Sequence, residues 1–159
     1  MYKRILVPFD GSATSNAGLD EAVKLAKLTG ASIRLAYVLD ALPFAIDAAA
    51  FTGDVPGMLA EAGAAVLAKG KRRVAASGVP VDTILSETFG QRVCDVVAEQ
   101  AEAWKADLIV IGAHGRRGVK RLFIGSDAEQ IVRTAPVPVH LVRMAQAQAA
   151  THADTGMAA

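Results

Sequence analysis

Residues 108–126 read LIVIGAHGRRGVKRLFIGS, and this order of apolar run, glycine-rich basic loop and Gly-Ser decides the fold class. Leu108–Ile111 is apolar without alternation, the pattern of a strand covered on both faces. The loop after it carries Gly112 and Gly115, which admit positive φ and close approach of backbone N–H groups to a ligand. Arg116, Arg117, Lys120 and Arg121 crowd the same loop. Clustered cations repel one another, so an anion there would offset their cost. Gly125 then opens a helix expected over Asp127–Thr134, and Ser126 brings a hydroxyl to its N-terminus. Unpaired N–H groups and the helix dipole favour an anion at that point. The spacing G-x2-G-x9-G-S therefore describes a cradle for a di- or triphosphate. A plainer reading uses the same letters: Ser126 as N-cap with Glu129 makes a capping box. Spacing alone does not choose between them.

Outward from this stretch, apolar runs and helical periodicities alternate. Upstream, residues 91–104 place Val93, Val96, Val97, Ala101 and Trp104 on one helical face. Before them, Val81–Ser86 reads as a strand and Met58–Ser77 as a long helix closed by Gly78. Residues 40–57 mix helix formers with prolines and glycines and are expected to be loop. Ser32–Leu39 is a further strand, preceded by a helix whose stripe of Leu19, Ala22, Val23 and Ala26 ends at Gly30. Downstream, Val137–Val142 is the last strand. The sequence from Met144 has few large apolar residues and is expected to be disordered. Strand–helix alternation of this kind implies one α/β domain, a mostly parallel open sheet with helices on both faces. Ligands of such sheets lie beyond the carboxyl ends of the strands, where strand order reverses.

The first strand lies within Tyr2–Phe9 and ends in VPFDGS. Asp10 stands at the strand end, where a carboxylate suits a ribose or a magnesium-bound water. Its structural alternative is an Asp-Gly-Ser turn that starts the next helix.

Composition bounds the function classes. At 159 residues with 52% hydrophobic and 21% charged residues, the chain has the make-up of one globular domain. A net charge of +1 supplies no global field for nucleic acid or anionic lipid. Cys94, the one cysteine, excludes an internal disulfide and fits a reducing, cytoplasmic setting. No run has the length of a membrane span. The Walker-A pattern and the G-x-G-x-x-G fingerprint are both absent.

VPFDGS, IGAHGRRG and LFIGSDAEQIVRTAPVPVHLV, in this element order, resemble the universal stress protein family over residues 2–143, with G-x2-G-x9-G-S typical of its ATP-binding branch. The resemblance implies a Rossmann-like, five-stranded parallel sheet of order 3-2-1-4-5. It implies ATP, alone or with Mg2+, as the ligand. Adenine would lie near Pro8, Asp10 and the backbone of Val38, with Phe9 in the same turn. Ribose and phosphates would contact Gly112, Gly115, Arg116, Gly125, Ser126 and the amide of Asp127, with Ala113 and His114 in the same loop. It also implies a homodimer paired through Val139–Val142. Asp127 departs from the small apolar residue or Thr of many ATP-binding relatives. Its carboxylate suits the helix dipole but repels phosphate, which lowers the expected affinity.

Other candidates have simpler readings. His114 has no partner placed beside it by the sequence, so no catalytic residue is assigned. Three scattered histidines lack metal-site spacing. Cys94 reads as a packing residue, His140 as a sheet-edge one and Trp104 as an anchor onto the sheet. Lys69, Lys71, Arg72 and Arg73 read as a solvated helix face, without the aromatics that nucleic-acid binding would add. Three functions follow: a nucleotide-binding sensor with little or no rapid turnover, a dimeric interaction module whose loop is structural, and a slow ATPase or autophosphorylating protein.

Overall fold

The computed structural model describes residues 1–43, 55–113 and 125–143. Within them the chain runs β1 (Arg4–Pro8), α1 (Ala13–Thr29), β2 (Ser32–Asp40), α2 (Val55–Ala76), β3 (Val81–Thr88), α3 (Val93–Ala103), β4 (Leu108–Gly112), α4 (Ser126–Thr134) and β5 (Val139–Val142). The strands form one parallel sheet in the order β3-β2-β1-β4-β5, as the resemblance implied. β1 is central, and strand order reverses between it and β4.

Alternation along β1 divides the core between the two faces. Ile5, Val7 and Phe9 pack with Leu19, Leu35, Leu67 and Val74 under α1 and α2. Leu6 packs with Val97, Ile109 and Ile131 under α3 and α4. All but Phe9 and Leu67 of these side chains are almost fully excluded from water. Each such burial contributes about 1.5–3 kcal/mol, so a charge introduced on either face of β1 would unseat a helix.

The helix ends follow from local chemistry. Ser12 caps α1 by accepting the N–H of Ser15 at 3.1 Å, and Gly30 closes it at φ +70 with its N–H on the carbonyl of Ala26. α2 begins at Val55, earlier than the expected Met58, because Pro56 falls in the first turn, where its missing N–H costs nothing. The expected loop over 40–57 is thereby shortened at both ends, since β2 runs to Asp40. Its residues 44–54, and the expected disordered tail over 144–159, lie outside the described residues. β5 starts two residues later than expected, at Val139.

The small structural readings hold. Cys94 is buried between α3 and α4, with its Sγ 3.4 Å from Oε1 of Gln130. Trp104 closes α3 and lies under the Arg34 guanidinium, 4.8 Å from ring centre to Cζ. His140 is exposed on β5, at the edge of the sheet.

Candidate functional site

The VPFDGS turn is built by its own side chains. Asp10 accepts the N–H of Ser12 on Oδ1 at 2.9 Å, which folds the chain back over Gly11 at φ +77. Asn16 donates its amide to the carbonyls of both Gly11, at 3.1 Å, and Ser12, at 2.8 Å. The turn reading of Asp10 is therefore realised, and its half-buried carboxylate stands at the carboxyl end of the central strand. Phe9 is buried and packs into the core, and its N–H bonds the carbonyl of Ala36 at 2.8 Å. Pro8 is half-buried at the end of β1, and Val38 is half-buried two residues before the end of β2.

The second loop leaves and returns at one point. Ala113 donates to the carbonyl of Val142 at 2.8 Å and accepts the N–H of Gly125 at 2.7 Å. That second bond delivers the N-terminus of α4 to the carboxyl end of β4. Gly125 is its N-cap, in extended conformation, with no side-chain cap hydrogen bond. The capping-box alternative therefore fails: Ser126 is the first helical residue, and Glu129 pairs with Arg133 at 2.8 Å instead. Ser126 and Asp127 are exposed in the first turn.

Gly112 has a reason that its spacing did not disclose. A Cβ there would clash with the carbonyl oxygen of Thr14 and lie 2.5 Å from its carbon. From the helix side, a Cβ on Gly18 would meet the amide nitrogen of Gly112 at 3.1 Å. The glycine lets the first turn of α1 rest on β4, which holds the two candidate loops side by side.

Of the expected site residues, Pro8, Asp10 and Val38 stand at or near the ends of neighbouring strands, and Gly112, Ala113, Gly125, Ser126 and Asp127 at the β4–α4 junction. His114, Gly115 and Arg116 lie outside the described residues, as do the other loop cations. Among the described residues no group of three or more His, Cys, Asp or Glu could hold a metal ion. A groove of about 460 Å³ between α1 and the end of β5 lies elsewhere, and its acids are engaged: Asp20 by Arg73 and Glu21 by Lys24.

Sequence reasoning missed the supports behind the Asp10 turn. Val66, Gly70 and Arg73 recur at i, i+4 and i+7 on α2. A Cβ on Gly11 would meet Val66 Cγ1 at 3.0 Å, and one on Gly70 would meet Phe9 Cε1 at 2.7 Å. Arg73 donates to Oδ1 of Asn16 at 2.9 Å and also holds Asp20. The i, i+4, i+7 spacing was a usable signal for the first two contacts. Nothing in the sequence pairs Arg73 with Asn16.

The family model of the universal stress protein family matches residues 1–143. The chain belongs to that family. Universal stress protein MJ0531 of Methanocaldococcus jannaschii is 35% identical over 144 residues, covering 90% of this chain and 83% of that protein. The solved structure of protein MJ0577 superposes with a TM-score of 0.79 at 25% identity, covering 92% of this chain and 99% of the other. Two further structures share the fold: a universal stress protein in complex with cAMP, at TM-score 0.61 and 24% identity, and one from Archaeoglobus fulgidus in complex with dAMP, at 0.62 and 18%. They cover 89% of this chain and 97% and 96% of their own. Among the described residues of this chain, no helix is long and apolar enough to cross a membrane.

Proposed function

We propose that this universal stress protein binds an adenine nucleotide, ATP in the first instance, across the carboxyl ends of β1 and β4. In this reading it is a cytoplasmic, homodimeric sensor or regulator of the stress response that turns nucleotide over slowly or not at all. The observation that carries the reading is the Ala113–Gly125 hydrogen bond, which sets a helix N-terminus with glycine as its N-cap beside the Asp10 turn, at the switch point of the sheet. Phosphates would meet the amides of Ser126 and Asp127 and the hydroxyl of Ser126. The loop with Gly115 and Arg116 supplies further donors and charge. Adenine and ribose would lie towards Pro8, Val38 and Asp10. Complexes of other family members with cAMP and dAMP are in keeping with an adenine ligand.

ATP brings its own triphosphate charge and, when Mg2+ accompanies it, partial neutralisation of that charge. The chain's residues bind and orient it. Turnover would also need an oriented nucleophile and an activating base. β5 is an edge strand, so pairing with a second copy would satisfy its open backbone groups. Sedimentation of the full chain tests that part, and a monomer at all concentrations removes it.

Calorimetry on protein freed of carried-over ligand, with ATP, ADP, AMP and cAMP, tests the nucleotide part. Heat with ATP and none with Gly115→Val supports the reading. No heat with any nucleotide, on folded protein, sinks it in favour of the interaction module, the reading that Asp127 favours. Asp127→Ala should tighten ATP by about two- to fivefold through lost repulsion.

A further inference from the structure

We infer that Arg73, on α2, is a positioning residue for the Asp10–Ser12 turn, acting through the side-chain amide of Asn16. The inference rests on the nucleotide-binding reading for its functional consequence, but not for its geometry.

The side chain of Asn16 bonds both the Gly11 and the Ser12 carbonyls, and it meets them with Nδ2. An amide offers two donors at one end and two acceptor sites at the other. If it turned over, its oxygen would face both carbonyls, and two attractive contacts would become repulsive. Arg73 adds to that preference from the other end of the amide. A guanidinium only donates, so its bond to Oδ1 of Asn16 selects the orientation in which Nδ2 faces the turn. Asp20 holds the other arm of the fork, so the guanidinium is anchored on α1 at both ends of one helical turn.

A second observation ties α2 to the same place. Val66 limits the space beside Gly11, and Gly70 receives the ring of Phe9, so one face of α2 lines the chain on either side of Asp10. The helix fixes the turn sterically from Val66 and Gly70 and electrostatically from Arg73. A displacement of α2 must therefore disturb the turn that presents Asp10.

The test uses the full chain and five variants: Arg73→Ala, Arg73→Lys, Asn16→Ala, the Arg73→Ala/Asn16→Ala double variant, and Arg72→Ala as a control. Arg72 is exposed on the same helix and carries the same charge, so it reports the loss of one cation without the bond to Asn16. ATP affinity is read by calorimetry, and amide hydrogen exchange at Ser12 and Asn16 is read without nucleotide. Arg73→Ala should weaken ATP about three- to tenfold, with Arg72→Ala unchanged. Arg73→Lys should fall with Arg73→Ala, because one ammonium cannot reproduce the fork. The double variant should be no weaker than Asn16→Ala alone, since Arg73 acts through that amide. Exchange at both amides should quicken in Arg73→Ala.

If the wild type binds ATP and Arg73→Ala binds equally well, or no worse than Arg72→Ala, the inference is overturned. If the wild type binds no nucleotide, the functional reading fails and the exchange data decide alone. Faster exchange in Arg73→Ala then upholds Arg73 as the support of the turn, and unchanged exchange removes it.

Discussion

The carbonyl oxygen of Thr14 occupies the place that a side chain on Gly112 would need. This contact joins the first turn of α1 to the last residue of β4, so the two loops of the candidate site share one rigid seat. It also separates packing from ligand approach as reasons for a glycine. Gly112→Ala would push its methyl into backbone that cannot move without shifting α1.

The cost of Gly112→Ala should be about 3 kcal/mol, at the upper end of overpacking effects. For a domain of this size that lowers the melting temperature by about 6–12 °C. Gly18→Ala is the milder partner, because its methyl meets Gly112 N at 3.1 Å and Ile111 C at 3.4 Å. Alanine also gains about 1 kcal/mol of helix propensity there, so a net change under about 1.5 kcal/mol is expected. Calorimetric unfolding of both variants checks the order, and equal stability of Gly112→Ala and wild type would remove the seat.

Gly70 and Gly30 offer a contrast between two causes. A Cβ on Gly70 would meet Phe9 Cε1 at 2.7 Å and Leu35 Cδ1 at 2.8 Å, in the core beneath α2. Gly30 has nothing within 4 Å but sits at φ +70. Alanine should cost about 1–2 kcal/mol at either position, by crowding at the first and by backbone strain at the second. Asparagine separates them. It tolerates the left-handed region, so Gly30→Asn should recover most of the loss, whereas Gly70→Asn, larger and polar in the core, should be worse than alanine. Denaturant midpoints of the four variants decide the matter.

These glycines also mark what the sequence discloses. Leu108–Ile111 announced a doubly covered strand because its apolar run has no polar alternation, and the Asp-Gly-Ser turn was legible because its bonds are local. The β4–α4 junction was legible in outline, but its cap was left open between Gly125 and Ser126. Gly125 and Ser126 are both good caps, and only the bond to Ala113 chooses between them. The space that makes Gly112 necessary comes from a helix almost a hundred residues away, which no local pattern carries. Arg73 looked like one of four solvated cations for the same reason.

Arg92 and Asp95 supply a pH test. The Arg92 side-chain hydrogen bonds, at 2.8 Å each, are the main cause that holds the Asp95 carboxyl below its ordinary 3.8, with the opposite charge of Arg92 and a bond from Cys94 adding to it. A depressed carboxylate contributes stability that is present above its unfolded pKa and lost as pH falls through the folded one. The contribution of this pair is therefore constant above about pH 5 and fades below it. Carboxyl carbon NMR should show Asp95 titrating low in the wild type and moving up in Arg92→Ala. About 1 M salt should reverse only part of the depression, because hydrogen bonding leads it and salt screens the Coulombic part. An unchanged titration in Arg92→Ala would exclude the pair as its cause.

Arg34 should control the environment of Trp104. Its guanidinium bonds Asp82 through two parallel contacts, 2.8 Å from Nε and 2.7 Å from Nη2, and lies over the indole ring. The side chain is only 22% exposed, so the planar fork and the stacked face work together. Lysine keeps the charge but has neither the fork nor the plane, so Arg34→Lys should cost about 1 kcal/mol, close to the cost of Arg34→Ala. Trp104 is the one tryptophan in the chain, which makes its fluorescence a direct reporter. Both Arg34 variants should shift its emission to the red as water reaches the uncovered ring. Arg4→Ala is the control, because the Arg4 side chain meets Trp104 at its backbone carbonyl, at 2.9 Å, and not at the ring. Emission unchanged in Arg34→Ala, or shifted equally in Arg4→Ala, would show that the ring is shielded by its backbone seat and not by Arg34.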